Sequence, residues 1–172
     1  MTQAPAQTQP DSQAFNEERP LEDHVVKIYR CAKVVKGGRR FRFGVLVIVG
    51  DRHGHVGVGY GKANEVPVAV DKGIKNARKQ IFDVNLAGHT IPHRVQARYG
   101  ASKVILLPAS EGTGVIAGVH LRPLLELAGI RDVLTKAYGS TNPKNLMQAG
   151  IRALTSLRTR EAVARLRGVQ VL

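Results

Sequence analysis

Residues 55–61 read HVGVGYG, apolar or aromatic side chains alternating with glycine. Alternation at period two is the geometry of a β-strand, whose successive side chains leave opposite faces. Val56, Val58 and Tyr60 then share one face, while Gly57, Gly59 and Gly61 leave the other without side chains. A bare face of this kind requires something pressed against it, either a close-packed neighbour or the backbone of a nucleic acid.

The flanking sequence supplies the rest of a sheet. Val26, Ile28, Ala32 and Val34 are expected on one face of a strand over residues 24–35. Phe41, Phe43, Val45, Val47 and Val49 repeat the pattern in the next. Lys36-Gly37-Gly38 makes the turn between them, and GDRHG (50–54) makes the second turn. Asn64 is the candidate cap of a helix in which Val66, Val70, Ile74, Ala77 and Ile81 recur at three or four residues. Three antiparallel strands plus a helix therefore form a first unit.

An irregular stretch, NLAGHTIPH (85–93), precedes strands at VQARYGA and KVILLPA and the glycine loop SEGTGVIAG (110–118). A helix over 123–128 places Pro123 in its first turn, where a missing N–H costs little. A short strand follows over 132–137, and Asn142 and Pro143 cap and open the next helix. A last helix from Thr159 to Leu166 carries Arg160 and Arg165, with Arg167 following before Gly168 stops it. The fold class is α+β, in two units over 22–88 and 89–172. Residues 1–21, rich in Gln, Pro, Thr and Ala, are expected to be a disordered tail.

Charge restricts the partners. The net charge of +13 conceals an asymmetry, because residues 1–23 hold five acids and one arginine, leaving 25 basic and 8 acidic residues from His24 onward. Such a surplus repels itself unless a polyanion neutralises it, and nucleic acid is the commonest one. No run of about 20 apolar residues and no leader-like start is present, so a soluble cytoplasmic protein is expected. Cys31 stands alone in the sequence, which fits a small packed hydrophobe better than a thiolate cluster.

The cations concentrate at turns. Lys36, Arg39, Arg40, Arg42, Arg52 and Lys62 lie on or beside the turns of one small sheet, and Lys72, Lys75 and Lys79 line one helix face. That density suits phosphate contacts, where arginine forks two oxygens and lysine supplies a mobile charge. The pairs His53/His55 and His89/His93 fit solvated or RNA-contacting imidazoles better than a metal site.

Two glycine motifs suggest nucleotide chemistry. GVGYGKA lacks the glycine at Val56 and the hydroxyl at Ala63 that a Walker loop needs. PASEGTGVIAG resembles the phosphate loop of the galactokinase and homoserine kinase superfamily, its glycines feeding a helix and gathering free N–H groups. Only Glu111, Glu126 and Asp132 lie near it as carboxylates for a metal or base, too few for a kinase.

Three separated segments, VKGGRRFRFGVLVIVGDRHGHVGVGYGKANEVPVAV, PASEGTGVIAG and KAYGSTNPKN, resemble the bacterial small-subunit ribosomal protein S-five family, from Glu22 to Gly168. The resemblance implies a first domain like a double-stranded-RNA-binding domain and a second of the S-five domain-two-like fold, which the kinase superfamily shares. It further implies no catalytic activity, no cofactor and no metal. The implied partners are 16S rRNA, ribosomal proteins S-four and S-eight, and mRNA where it enters the subunit, with one copy per subunit. Influence on decoding accuracy is implied too, as is an association of the KGG loop with spectinomycin sensitivity.

Carried onto this chain, rRNA contacts fall on the cations named above and on Lys33, Gly37, Gly38, His53 and His55. In the second unit they fall on Ser110, Thr113, Ser140, Asn142 and Lys144, with Gly114 and Arg122 at the S-four contact. A small-molecule kinase-like nucleotide-binding protein and a free double-stranded-RNA-binding regulator remain the alternatives.

Overall fold

The computed structural model describes residues 20–168. The segment expected to be a tail lies outside them except for Pro20 and Leu21. Strands β1 (Glu22–Val35), β2 (Gly38–Gly50), β3 (His55–Ala63) and β4 (Ile81–Asp83) form one antiparallel sheet in that order. Helix α1 (Val66–Arg78) packs on β2 and β3.

The bare face of β3 rests on α1. A Cβ at Gly57 would run into the Ala77 carbonyl, one at Gly59 into Gly73, and one at Gly61 into Ala69. Two strand residues rise about 6.6 Å and four helix residues about 6 Å, so glycines spaced by two meet small residues spaced by four. Close packing, and not RNA, occupies this face. Val45, Val47 and Val49 complete the core beside Ala69 and Ala77.

Glu65, not Asn64, stands at the N-cap of α1 and makes no side-chain cap bond, while Pro67 in the first turn supplies a preset φ. Ile81, which continues the helical period, instead enters β4. The expected apolar face of β1 is also broken. After the register shift between Val25 and Lys27, Ile28 pairs with Val45 on the face opposite to Val26, and Ile28 is 48% and Val34 72% exposed. An extra residue in one strand moves all that follow it to the other face.

The second half contains β5 (Val95–Tyr99), β6 (Ser102–Pro108), β7 (Val115–Ile116), α2 (Arg122–Leu127), β8 (Val133–Gly139), α3 (Pro143–Thr155) and α4 (Arg160–Arg167). Its sheet order is β5-β6-β8-β7, antiparallel except for the parallel β7–β8 pair. Pro123 lies in the first turn of α2. The Asn142 side chain accepts from Lys144 N at the start of α3, and Gly168 ends α4 at φ 65°.

The halves share one core. From Gly44 onward β2 is buried on both faces. Leu46 and Ile48 point away from α1 and join Leu121, Leu124 and Leu125 around α2, with Val104 and Leu106 of β6. The turn after β2 fastens this packing, as Arg52 N donates to Leu127 O at 3.0 Å and Gly54 N to Ala128 O at 3.1 Å.

Candidate nucleic-acid interface

The β1–β2 hairpin extends past its helix-covered core and carries its cations at the free end. Lys33 pairs with Arg40, Val34 with Arg39, and Cys31 with Arg42. Lys33, Lys36, Arg39, Arg40 and Arg42 are all exposed, and a Cβ at Gly37 or Gly38 would meet nothing within 4 Å. Gly38 has φ 138°, a conformation that favours glycine. Like charges directly opposed across a ladder are destabilising, and no carboxylate occurs from Lys27 to Gly50 to offset the Lys33–Arg40 pair.

Phe41, on the same expected apolar strand face as Val45 and Val47, is 41% exposed. It stands beyond the residues of β2 that are buried. The guanidinium of Arg30 lies over its ring, 3.8 Å from the centroid.

At the root of the hairpin, Arg42, Lys62 and Lys72 from β2, β3 and α1 converge on one cleft, with Asn64, Glu65 and Val68 completing its wall. Lys75 and Lys79 are exposed along α1 and its C-cap. Lys144, in the first turn of α3, places Nζ 4.6 Å from the centroid of the Tyr60 ring on β3. That contact brings a cation of the second half onto the sheet of the first. Ser140 and Asn142 beside it are engaged in local structure: Ser140 O accepts from Ser102 Oγ at 2.6 Å, and Asn142 Oδ1 accepts from Lys144 N at 3.4 Å.

Arg52, His53 and His55 are not gathered with these groups. They sit at the opposite end of the 13-residue β2, about 40 Å along an extended strand from the hairpin tip. Arg52, at φ 59°, forks Glu22 Oε2 through Nε at 3.0 Å and Nη2 at 2.8 Å. His55 is held between Asp51 Oδ2 at 2.7 Å and Asp83 Oδ1 at 3.4 Å. Burial pushes the Asp51 carboxyl up, but the N–H groups of His53 and His55 and the His55 imidazole outweigh it and hold the carboxyl below the usual range. His93 is likewise structural, its Nδ1 facing Arg94 O at 3.0 Å and its Nε2 accepting from Arg158 N at 3.2 Å.

The glycine loop is wired to its own protein. Gly114 N donates to Oδ1 of buried Asp132 at 2.8 Å, and Thr113 donates to Ser110 O through both its N–H and its hydroxyl. The loop runs into β7 and reaches α2 only afterwards, correcting the expectation that it feeds a helix directly. The Asp132 carboxylate thus already accepts one of the loop N–H groups that a phosphate would need. Gly114 nevertheless borders an open cleft with His89, Glu111, Gly112 and Arg131, and Arg122 is exposed at the first residue of α2.

Sequence reasoning missed Arg30, whose guanidinium covers the Phe41 ring, and Tyr60, whose ring takes Lys144. Both lie in strands read only for their apolar faces.

Comparison with known proteins matches two family models. Residues 21–85 match the ribosomal protein S5 N-terminal domain, and residues 97–167 match the ribosomal protein S5 C-terminal domain. The small ribosomal subunit protein uS5 of Rhodopirellula baltica is 54% identical over 158 residues, covering 90% of this chain and 89% of the relative. That of Rubrobacter xylanophilus is 57% identical over 151 residues, covering 88% and 76%.

Proposed function

Because the chain belongs to the ribosomal protein S5 family, a structural, RNA-binding constituent of the small subunit of the cytoplasmic ribosome, we propose that its β1–β2 hairpin and the cleft at the hairpin's root are its principal contacts with 16S rRNA. The opposed pair Lys33 and Arg40 carries this reading, since two cations facing each other on an exposed ladder are stabilised when phosphates lie against them. Gly37 and Gly38 let the tip approach an RNA backbone closely. Lys36 and Arg39 neutralise phosphates there, and Arg42, Lys62 and Lys72 neutralise those beside the cleft.

Lys75, Lys79 and Lys144 extend the basic surface along α1 and across to α3. Arg52, His53 and His55 contribute through the shape of their turn rather than as mobile charges. Ser110, Thr113, Ser140 and Asn142 are secondary contacts, their polar groups being already engaged by the chain itself.

The exposed loop at Gly114 and the start of α2 at Arg122 form the surface proposed for ribosomal protein S-four, with S-eight and incoming mRNA as further neighbours. Gly114, at φ 76° with open space around it, would take a bulky cation only with backbone strain. Gly114→Arg should raise translational misreading more than it lowers stability. Unchanged misreading in a strain carrying only this allele contradicts the assignment.

The whole reading is tested by sedimenting a tagged copy. Stoichiometric incorporation into small subunits supports it, and a chain that stays at the top of the gradient overturns it.

A further inference from the structure

The hairpin carries a second kind of surface that phosphate contacts leave unexplained. Ile28, Val34 and Phe41 are exposed on the face of the β1–β2 ladder that further along packs against α1. Arg30 and Arg39 alternate with them on the same face. Apolar side chains at a solvated tip gain nothing from a phosphate, whose oxygens want donors. A flat ring with a guanidinium 3.8 Å from its centroid, and much of its own surface still open, is the platform on which a nucleobase stacks.

We infer that Phe41, backed by Arg30, is a stacking site for one unpaired RNA base, so that the hairpin reads a bulge or loop as well as a backbone. This rests on the RNA-binding reading and adds the class of nucleotide recognised. Bases within a continuous duplex have both faces covered by their neighbours, so only an unpaired base offers its π-face to the ring. Arg39, on the same face, then holds a flanking phosphate while Phe41 takes the base, and Lys33 and Arg40 meet backbone from the opposite face of the ladder. The absence of any carboxylate from Lys27 to Gly50 fits an anionic partner, and the ring selects one that carries bases.

The test uses the full chain and three probes: a short RNA duplex with one unpaired fluorescent purine, the same duplex without it, and heparin, a polyanion without bases. Wild type should prefer the bulged RNA, and the purine's fluorescence should fall on binding. Phe41→Leu, which keeps an apolar side chain without a π-face, should lower affinity for the bulged RNA about tenfold. Its affinity for the other two probes and its slope against salt should not change, and Phe41→Tyr should restore the preference. Equal losses on all three probes, or no loss on any, overturn the stacking site. Salt-dependent binding to both RNAs with no preference between them, or with heparin bound as well as either, overturns it while leaving the RNA-binding reading intact. No salt-dependent binding to either RNA overturns both.

Discussion

The two ends of β2 are glycine-containing, arginine-bearing turns, and they have opposite fates. At Lys36–Arg40 the chain has open space around its glycines and opposes cations without a carboxylate. At Asp51–Gly54 the same kind of composition is locked down. Asp51 collects two backbone N–H groups and an imidazole, Glu22 holds Arg52, and two N–H groups of the turn bond α2 and its C-cap. Arginine and glycine alone do not distinguish an interface from a clasp; the presence of acids and of a packed neighbour does.

The largest expected effect lies at the clasp. Gly129 has φ 88°, and a Cβ there would press into the Arg52 carbonyl. Gly129→Val should cost about 3 kcal/mol or more, read as a fall in the urea midpoint. Gly37→Val, in open space at the other end, should stay within about 0.5 kcal/mol of wild type in the same titration. Equal losses at the two sites would erase the distinction.

Asp51 sharpens it through pH. Its carboxyl titrates below the unfolded value because its hydrogen bonds favour the charged form more than burial opposes it. The stability it contributes is therefore full above the unfolded pKa and is lost as pH falls through the folded one. Asp51→Asn should cost about 1–3 kcal/mol near neutral pH, since it weakens a buried acceptor of several donors. It should also flatten the acid limb of the stability profile. Substitutions at the hairpin tip should leave that limb superimposable on wild type.

The smallest effect on folding and a clear one on binding is expected from Arg39→Gln with Arg40→Gln. Affinity for rRNA should fall, and the slope of log K against log salt should flatten by at most about 0.9 per lost phosphate contact, taking the duplex DNA value. An unchanged slope would remove both arginines from the phosphate contacts.

The residue pattern showed most of this fold because its strands alternate cleanly and its turns are marked by glycine. The empty face of β3 was readable, but its occupant was not. Only the spacing of Ala69, Gly73 and Ala77 against Gly61, Gly59 and Gly57 decides for the helix. Strands β4 and β7, with three and two residues, are too short to show a period. The bulge at Val26 leaves no compositional mark, so period two alone keeps Ile28 and Val34 on the face of Val26, whereas the register shift separates them. Period two continues through Phe41 to the tip, whereas burial begins only further along β2, a non-local fact. At the site, the residue types announced the cations, but pairing decided their roles. Lys33 gains weight from facing Arg40, while His55 is held between Asp51 and Asp83 and acts through the shape of its turn.

The hairpin tip is proposed to be an RNA-contacting element that is dispensable for folding. This role is tested most directly by chemical footprinting of 16S rRNA in small subunits assembled with wild type or with Lys36–Gly38 deleted, using circular dichroism of each protein as the folding control. Protection should be lost only in the rRNA beside the hairpin, with unchanged circular dichroism and intact assembly. Unchanged protection in subunits that contain the deleted protein would contradict it.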